Sequence, residues 1–225
     1  MATLGEYIGA GSGTTKLLLH LNGNSNDSSG NANNGTDTAI TYSVANGRFG
    51  QGAGFNGTTS KVAYGTTGIP TGAGARTMSA WLKLTAQPSM TGYPFSIVSY
   101  GTNSNGQLSC LFYDVDNATG VYNLGFSGWN ADVIISDNQL SLDTWYNLIA
   151  TYDGTTVRVY LNGNEFGNGN VTLNTTTANP VIGNGGDLNW WFNGSIDEVI
   201  IENTAWSASK IKKYYTNSKG RFATL

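Results

Sequence analysis

Residues 145–163, WYNLIATYDGTTVRVYLNG, restrict this chain more than any other stretch. Tyr146, Leu148, Ala150 and Tyr152 alternate with Trp145, Asn147, Ile149 and Thr151, and a period of two marks a β-strand. Asp153-Gly154 follows as a turn, because glycine takes positive φ without steric cost. On the return, Val157, Val159 and Leu161 alternate with Arg158, Tyr160 and Asn162, and Asn162-Gly163 marks the next turn. Two alternating strands about a short Asp-Gly loop form a β-hairpin. A hairpin alone is marginal in water, so other strands must cover its apolar face.

Composition agrees with that requirement. Among 225 residues there are 31 Gly and only 4 Pro, and charged residues make up 11%. Gly and Asn feed turns and Thr favours strands, which argues against a helical protein. A chain of this length, 39% hydrophobic, can bury one substantial core, as all-β sandwiches of similar length do. A net charge of −3 leaves no electrostatic footprint for nucleic acid or an anionic membrane. Cys110 is the sole cysteine, which excludes an internal disulfide and a cysteine metal cage. No apolar run approaches the roughly 18–20 residues of a membrane span, so no membrane insertion is expected. The opening MATLGEYIGAGSG has neither the basic nor the apolar region of a secretory signal peptide.

Taken in order, residues 1–15 read as a flexible arm, with Gly9, Gly11, Ser12 and Gly13 and nothing to bury. Residues 16–21, KLLLHL, form the first strand, apolar on both faces. His20, the only histidine, is expected to be a structural, hydrogen-bonded residue. Residues 22–35, NGNSNDSSGNANNG, make a loop dense in oxygen, with Asp27 its only carboxylate. Such a loop suits either a hard cation such as Ca²⁺ or a plain cluster of Asn/Gly turns. Residues 61–64, 78–84, 95–100, 108–115, 121–126, 133–135, 181–183 and 195–202 read as further strands. Within 78–84, Met78, Ala80, Leu82 and Leu84 share one face. Turn signals recurring about every ten residues point to a sandwich or jelly roll. One helix is expected near 207–217, with Ser207 as N-cap and Ile211, Tyr214 and Tyr215 on one side. Residues 218–225 form a basic tail.

Several of these segments, in this order, resemble the LamG-like jelly-roll domains of the concanavalin A-like lectin/glucanase superfamily. They are LLLHLNGNSNDSSGNANNG (17–35), RFGQGAGFNG (48–57), MSAWLKL (78–84), TWYNLIATYDGTTVRVYLNG (144–163) and FNGSIDEVIIENTAWSASKIKKYY (192–215). The resemblance implies an all-β fold of two curved antiparallel sheets, with the first and last strands adjacent and one short C-terminal helix. It places that jelly roll at residues 16–217. It also implies a structural calcium ion where the early D-S-S-G loop meets the late I-D-E-V strand. Asp27 and Asp197 would supply carboxylates, and backbone carbonyls around Asn33 and Gly35 the remaining ligands. Asp197 has an alternative as an acceptor for neighbouring backbone N–H groups. For Glu198 a solvated or paired strand residue is preferred.

Members of that superfamily that hydrolyse glycans carry an E-x-D-x-x-E pattern. None of Glu6, Glu165, Glu198 and Glu202 starts one here. Asp114 and Asp116 share a strand face, but a turn follows at once, so an exposed rim or a second cation site fits them better than an acid/base pair. One histidine allows no Ser-His-Asp set. The chain is therefore expected not to be an enzyme.

Sugar rings offer apolar C–H faces to Trp and Tyr, and hydroxyls to Asn and Asp. Trp81 and Trp145 lie in strands as packing residues. Trp129 sits in one loop and Trp190-Trp191 in another, where strand-like alternation would turn one of the two outward. The competing reading has both covering the sandwich edge. Tyr93, Asp132 and Asp187 would join a site on the loop rim. The expected function is a lectin-like module for a polysaccharide or cell-surface glycan, displayed in many copies on a surface or virion. The alternative is a structural, decoration or fibre subunit. Both readings place the protein outside the cell, on a cell surface or in a virion, with the two terminal segments driving assembly into a homo-oligomer or larger array.

Overall fold

The computed structural model describes residues 13–89, 93–136 and 139–219. Its first strands are β1 (Thr15–Leu19), β2 (Thr36–Thr38), β3 (Thr41–Ser43), β4 (Gly52–Asn56) and β5 (Lys61–Ala63). Five longer or better-paired strands follow: β6 (Arg76–Leu84), β7 (Phe95–Gly101), β8 (Leu108–Val115), β9 (Tyr122–Ser127) and β10 (Val133–Ile135). The last are β11 (Trp145–Tyr152), β12 (Thr156–Leu161), β13 (Asn164–Asn170), β14 (Val181–Ile182) and β15 (Asn193–Glu202). One α-helix, α1 (Ala208–Lys219), closes the described chain. No described helix is long and apolar enough to cross a membrane.

The strands build two antiparallel sheets. One runs β13-β12-β11-β6-β15-β4-β3, with β1 also on β15; the other runs β10-β9-β8-β7-β14-β5-β2. This is the jelly-roll sandwich expected from the sequence. The β11–β12 hairpin has Leu148 opposite Leu161 and Ala150 opposite Val159. Between the sheets, Met78, Ala80, Leu82 and Leu84 of β6 meet Ile97, Leu111, Tyr113 and Phe126 in one buried cluster. Alternation thus sends one face of β6 inward, as its pattern requires.

β15 organises the first sheet. It pairs with β6 on one side, and on the other with β4 along 193–196 and with β1 along 199–202. The change of partner falls at a bulge between Asp197 and Ile200, where Glu198 takes a φ of 51°. Bulges break a ladder locally and redirect side chains. Here the redirected Glu198 carboxylate lies 2.9 Å from His20 Nδ1, so the lone histidine has the structural partner expected of it.

The helix covers the outer face of this sheet. Leu18, Ile149, Tyr160 and Ile200 pack against Trp206, Ile211 and Tyr214. Tyr215 stacks on Trp81 at 5.7 Å. Ser207 caps the helix, accepting from Lys210 N–H at 3.2 Å. Beside it, Gly163 has a φ of 77°, and a Cβ there would lie 2.8 Å from Tyr215 Cβ. Both the turn and the close approach require glycine. A buried Glu202 ties β15 to this cover, accepting from Thr15 Oγ1, Trp206 Nε1 and Lys210 Nζ.

Several boundaries differ from the sequence reading. β1 begins at Thr15, which is buried and bonded to Glu202, and stops at Leu19 because Leu21 turns to a φ of 55°. α1 continues past 217, with Ser218 buried and its hydroxyl donating to the Tyr214 carbonyl. Residues 1–12 of the expected arm and 220–225 of the tail lie outside the described residues. β2, β3 and β13 lack an apolar alternation because they are edge strands, with side chains exposed throughout β2 and in most of β13.

Candidate functional site

The second sheet carries its own aromatic patch, on the face away from the core. Leu108, Cys110 and Phe112 alternate along β8 and form a small cluster there, against which Trp129 and Trp190 pack. The two indoles stack with centroids 6.0 Å apart and planes 22° from parallel, and both are half-buried. Each therefore keeps part of its surface open to solvent.

Local structure aims Trp129. It follows β9 in the turn that leads to β10, with a φ of 59°, and Asn130 repeats that value. Two consecutive non-glycine residues in the left-handed region are costly and persist only where neighbours hold them. Asp132 Oδ1 accepts from Ser127 Oγ at 2.8 Å and from Gly128 N–H at 3.0 Å. Ser127 Oγ in turn accepts from Trp129 N–H at 3.2 Å, and Gly106 N–H donates to the Trp129 carbonyl at 3.1 Å. Asp132 is also close enough to Cys110 to act on its thiol. Burial pushes that thiol up to about 12, the Ser96 hydroxyl opposes the rise, and the Asp132 charge adds to it.

The same turn borders a cleft of about 470 Å³ lying between the β7–β8 turn, the β9–β10 turn and the segment after β13. Asn105, Asn130, Asp132, Asn170, Thr172 and Asn174 line it. The sequence reading did not single out these amides, since Asn-rich turns occur throughout the chain. Only the fold shows which of them converge.

Of the expected ligand-binding residues, Trp129, Trp190 and Asp132 are thus brought into one region. Asp187 lies elsewhere, accepting from Asn179 Nδ2 at 2.9 Å beside a smaller cleft of about 190 Å³. Tyr93 is exposed and Trp191 half-buried, and no ring contact among the described residues joins either to the Trp129–Trp190 pair. Residues 189–192 are not a strand: Trp190 packs outward while Phe192, two residues on, is in the core. The alternation argument for Trp190 and Trp191 therefore does not apply.

The two carboxylates expected to hold Ca²⁺ accept hydrogen bonds from their surroundings. Asp27 Oδ1 accepts from the N–H groups of Leu18 and Ser29, and Oδ2 from Ser29 Oγ and Asn33 N–H. Those four bonds fill the acceptor positions of one carboxylate. The buried Asn33 side chain accepts from Thr67 N–H and donates to the carbonyls of Lys16 and Thr67. Gly35 donates its N–H to the Ser25 carbonyl at 2.7 Å. Asp197 Oδ2 accepts from Arg48 and Phe49 N–H, and Oδ1 from Glu198 N–H. Burial and the neighbouring Glu198 charge push Asp197 up to about 8 against the pull of these donors. The described residues contain no group of three His, Cys, Asp or Glu side chains able to hold a metal. In this arrangement N–H and O–H donors occupy the carboxylate oxygens that Asp27 and Asp197 would offer a cation.

Asp114 lies near the end of β8, and Asp116 in the turn that follows it. Asp114 Oδ1 accepts from Val115 N–H, and burial raises its carboxyl above the ordinary range. Asp116 spends Oδ1 on the hydroxyl and N–H of Thr119 and the N–H of Ala118 in an exposed turn, which holds it below that range.

By strand order and layering the protein is a concanavalin A-like jelly roll. Residues 56–212 match the Laminin_G_3 family of the concanavalin A-like lectin/glucanases superfamily, and the chain belongs to that family. No curated protein matches the sequence. Among solved structures, it resembles domain 4 of an extracellular arabinanase from Geobacillus stearothermophilus, solved in complex with arabinotriose. Identity is 23%, with 90% of this chain and 99% of that one covered and a TM-score of 0.67. It also resembles the binding domain of Paraclostridial Mosquitocidal Protein 1, at 14% identity, covering 92% and 53% of the two chains with a TM-score of 0.70. A structure of botulinum neurotoxin type C, whose cell entry depends on two ganglioside molecules, matches at 12% identity over 92% and 51%, with a TM-score of 0.65. The chain spans about half the length of these last two. At such identities the likeness concerns the fold.

Proposed function

We propose that this protein is a non-catalytic, lectin-like module that binds a glycan on the Trp129–Trp190 face. The observation that carries the reading is the stacked, half-exposed indole pair, held on the outer face of the second sheet by the Asp132–Ser127 bonds. An indole presents a rigid apolar face to the C–H groups of a sugar at little entropic cost. The likeness to an arabinanase domain solved with arabinotriose, and to a toxin that depends on gangliosides, supports a saccharide as ligand. A shallow platform of this kind binds one saccharide weakly, with a Kd around millimolar, or about −4 kcal/mol. We place the module outside the cell, in copies that gain avidity together.

Retention in affinity gels containing polysaccharide tests the reading. Trp129→Ala should weaken retention by about tenfold, the equivalent of about 1.4 kcal/mol, while circular dichroism still reports the parent fold. Retention equal to the parent would remove the indole pair from the site.

A further inference from the structure

The cleft beside Trp129 has a chemistry of its own. Asn105, Asn130 and Asn174 line it with exposed amides that bond no other described side chain or backbone group. Asn170 lends only Oδ1, to Thr156. Each amide offers both a donor and an acceptor, as a sugar hydroxyl does. Among the described residues lining the cleft there is no Lys, Arg or His, and Asp132 carries the only charge. An anionic sugar entering here would lose water, meet that carboxylate and find no cation.

We infer that this cleft is a second subsite, continuous with the Trp129 platform, which reads the hydroxyls of an uncharged saccharide and rejects acidic ones. The inference rests on the glycan reading above and deepens it. Its geometric basis is the turn at Trp129-Asn130. Consecutive residues with φ near 59° put the indole on the outer aromatic patch and the next amide on the cleft wall, while Gly106 of the opposing turn bonds the Trp129 carbonyl. One saccharide chain could then stack on the platform and place its next residues among the amides. The lone carboxylate serves there as an acceptor for paired hydroxyls.

The test is affinity electrophoresis against neutral polysaccharides (arabinan, xylan, mannan and dextran) and acidic ones (polygalacturonate, heparin and polysialic acid). The parent should be retained by at least one neutral polymer and by none of the acidic ones. Asn130→Gly combined with Asn174→Ala should weaken neutral retention by about tenfold, since two hydrogen bonds are lost. Glycine is chosen at 130 because it accepts the positive φ. Asn105→Ala, from the other turn, repeats the test should the double variant fail to fold. Retention that survives the amide changes but falls in Trp129→Ala would overturn the subsite and leave the platform standing. Retention by acidic polymers as strong as by neutral ones would overturn the assigned ligand class. Retention by no polymer at all would overturn the glycan reading together with the subsite.

Discussion

Asp197 accepts hydrogen bonds from the backbone N–H groups of both Arg48 and Phe49, at 2.7 and 2.9 Å. The bonds reach from the bulge of β15 to the turn ahead of β4, and so close the first sheet where β15 changes partner. Removing the carboxylate strands three N–H donors, that of Glu198 included, in a largely buried site. Asp197→Ala should therefore cost about 3 kcal/mol, taking about 1–3 kcal/mol for each donor left unsatisfied. Urea unfolding measures this, and a loss below about 1 kcal/mol would deny Asp197 its structural role.

Calcium provides a second check on the same region. A cation held at a hundredfold over its Kd would add about 2.7 kcal/mol. Because the carboxylate oxygens of Asp27 already accept four hydrogen bonds, melting curves with EDTA and with millimolar Ca²⁺ should coincide. Asp27→Ala should destabilise equally in both. A calcium-dependent rise in Tm, abolished by that substitution, would restore the cation to this loop.

Cys110 lies beneath the Trp129–Trp190 pair with its thiol pushed up to about 12 by burial. Burial thus disfavours the reactive thiolate, and access is blocked as well. A thiol-disulfide reagent should react with the native protein far more slowly than with the unfolded chain. Trp190→Ala should speed the native reaction severalfold by opening the cover. An unchanged rate would mean that the indole does not shield β8.

The β11–β12 turn supplies a pH-dependent test. Asp153 Oδ1 accepts from Thr155 and Thr156 N–H, and Oδ2 bonds Arg158 at 2.7 Å, which holds the carboxyl below its ordinary range. A depressed folded value means stability that is present at neutral pH. It is lost as pH falls from about 4 toward that lower value. The site is exposed, so Asp153→Ala should cost no more than about 1 kcal/mol at pH 7. The difference from the parent should shrink at pH 3. A constant difference would attribute the effect to the backbone alone.

Alternation was enough to read the core. The β11–β12 hairpin, the inward face of β6 and the Ser207-capped helix all follow from periods of two or 3.6 in the sequence. The candidate site was legible only in part. Trp129 and Trp190 stand out as loop tryptophans, but their stacking depends on two turns 61 residues apart coming together over β8. The amides of the cleft come from three separate segments and look like ordinary turn residues in each. Asp27 and Asp197 show a further limit. Backbone N–H groups and a divalent cation both favour a carboxylate at these positions, and sequence does not distinguish them.

The partner change along β15 also governs the order in which the protein can be made. Its ladder neighbours β1, β4 and β6 leave the ribosome long before it does, since their contacts span from about a hundred to nearly two hundred residues. Until residue 193 has been synthesised, those three strands hold edges with no mate, while the β7–β8–β9 meander and the β11–β12 hairpin can already form. Such long-range pairing slows folding and leaves partly made chains open to association through their edges. The first sheet is thus completed from its middle, by one of the last strands to arrive, and nascent chains stalled before that strand are the form of this protein most in need of chaperone cover.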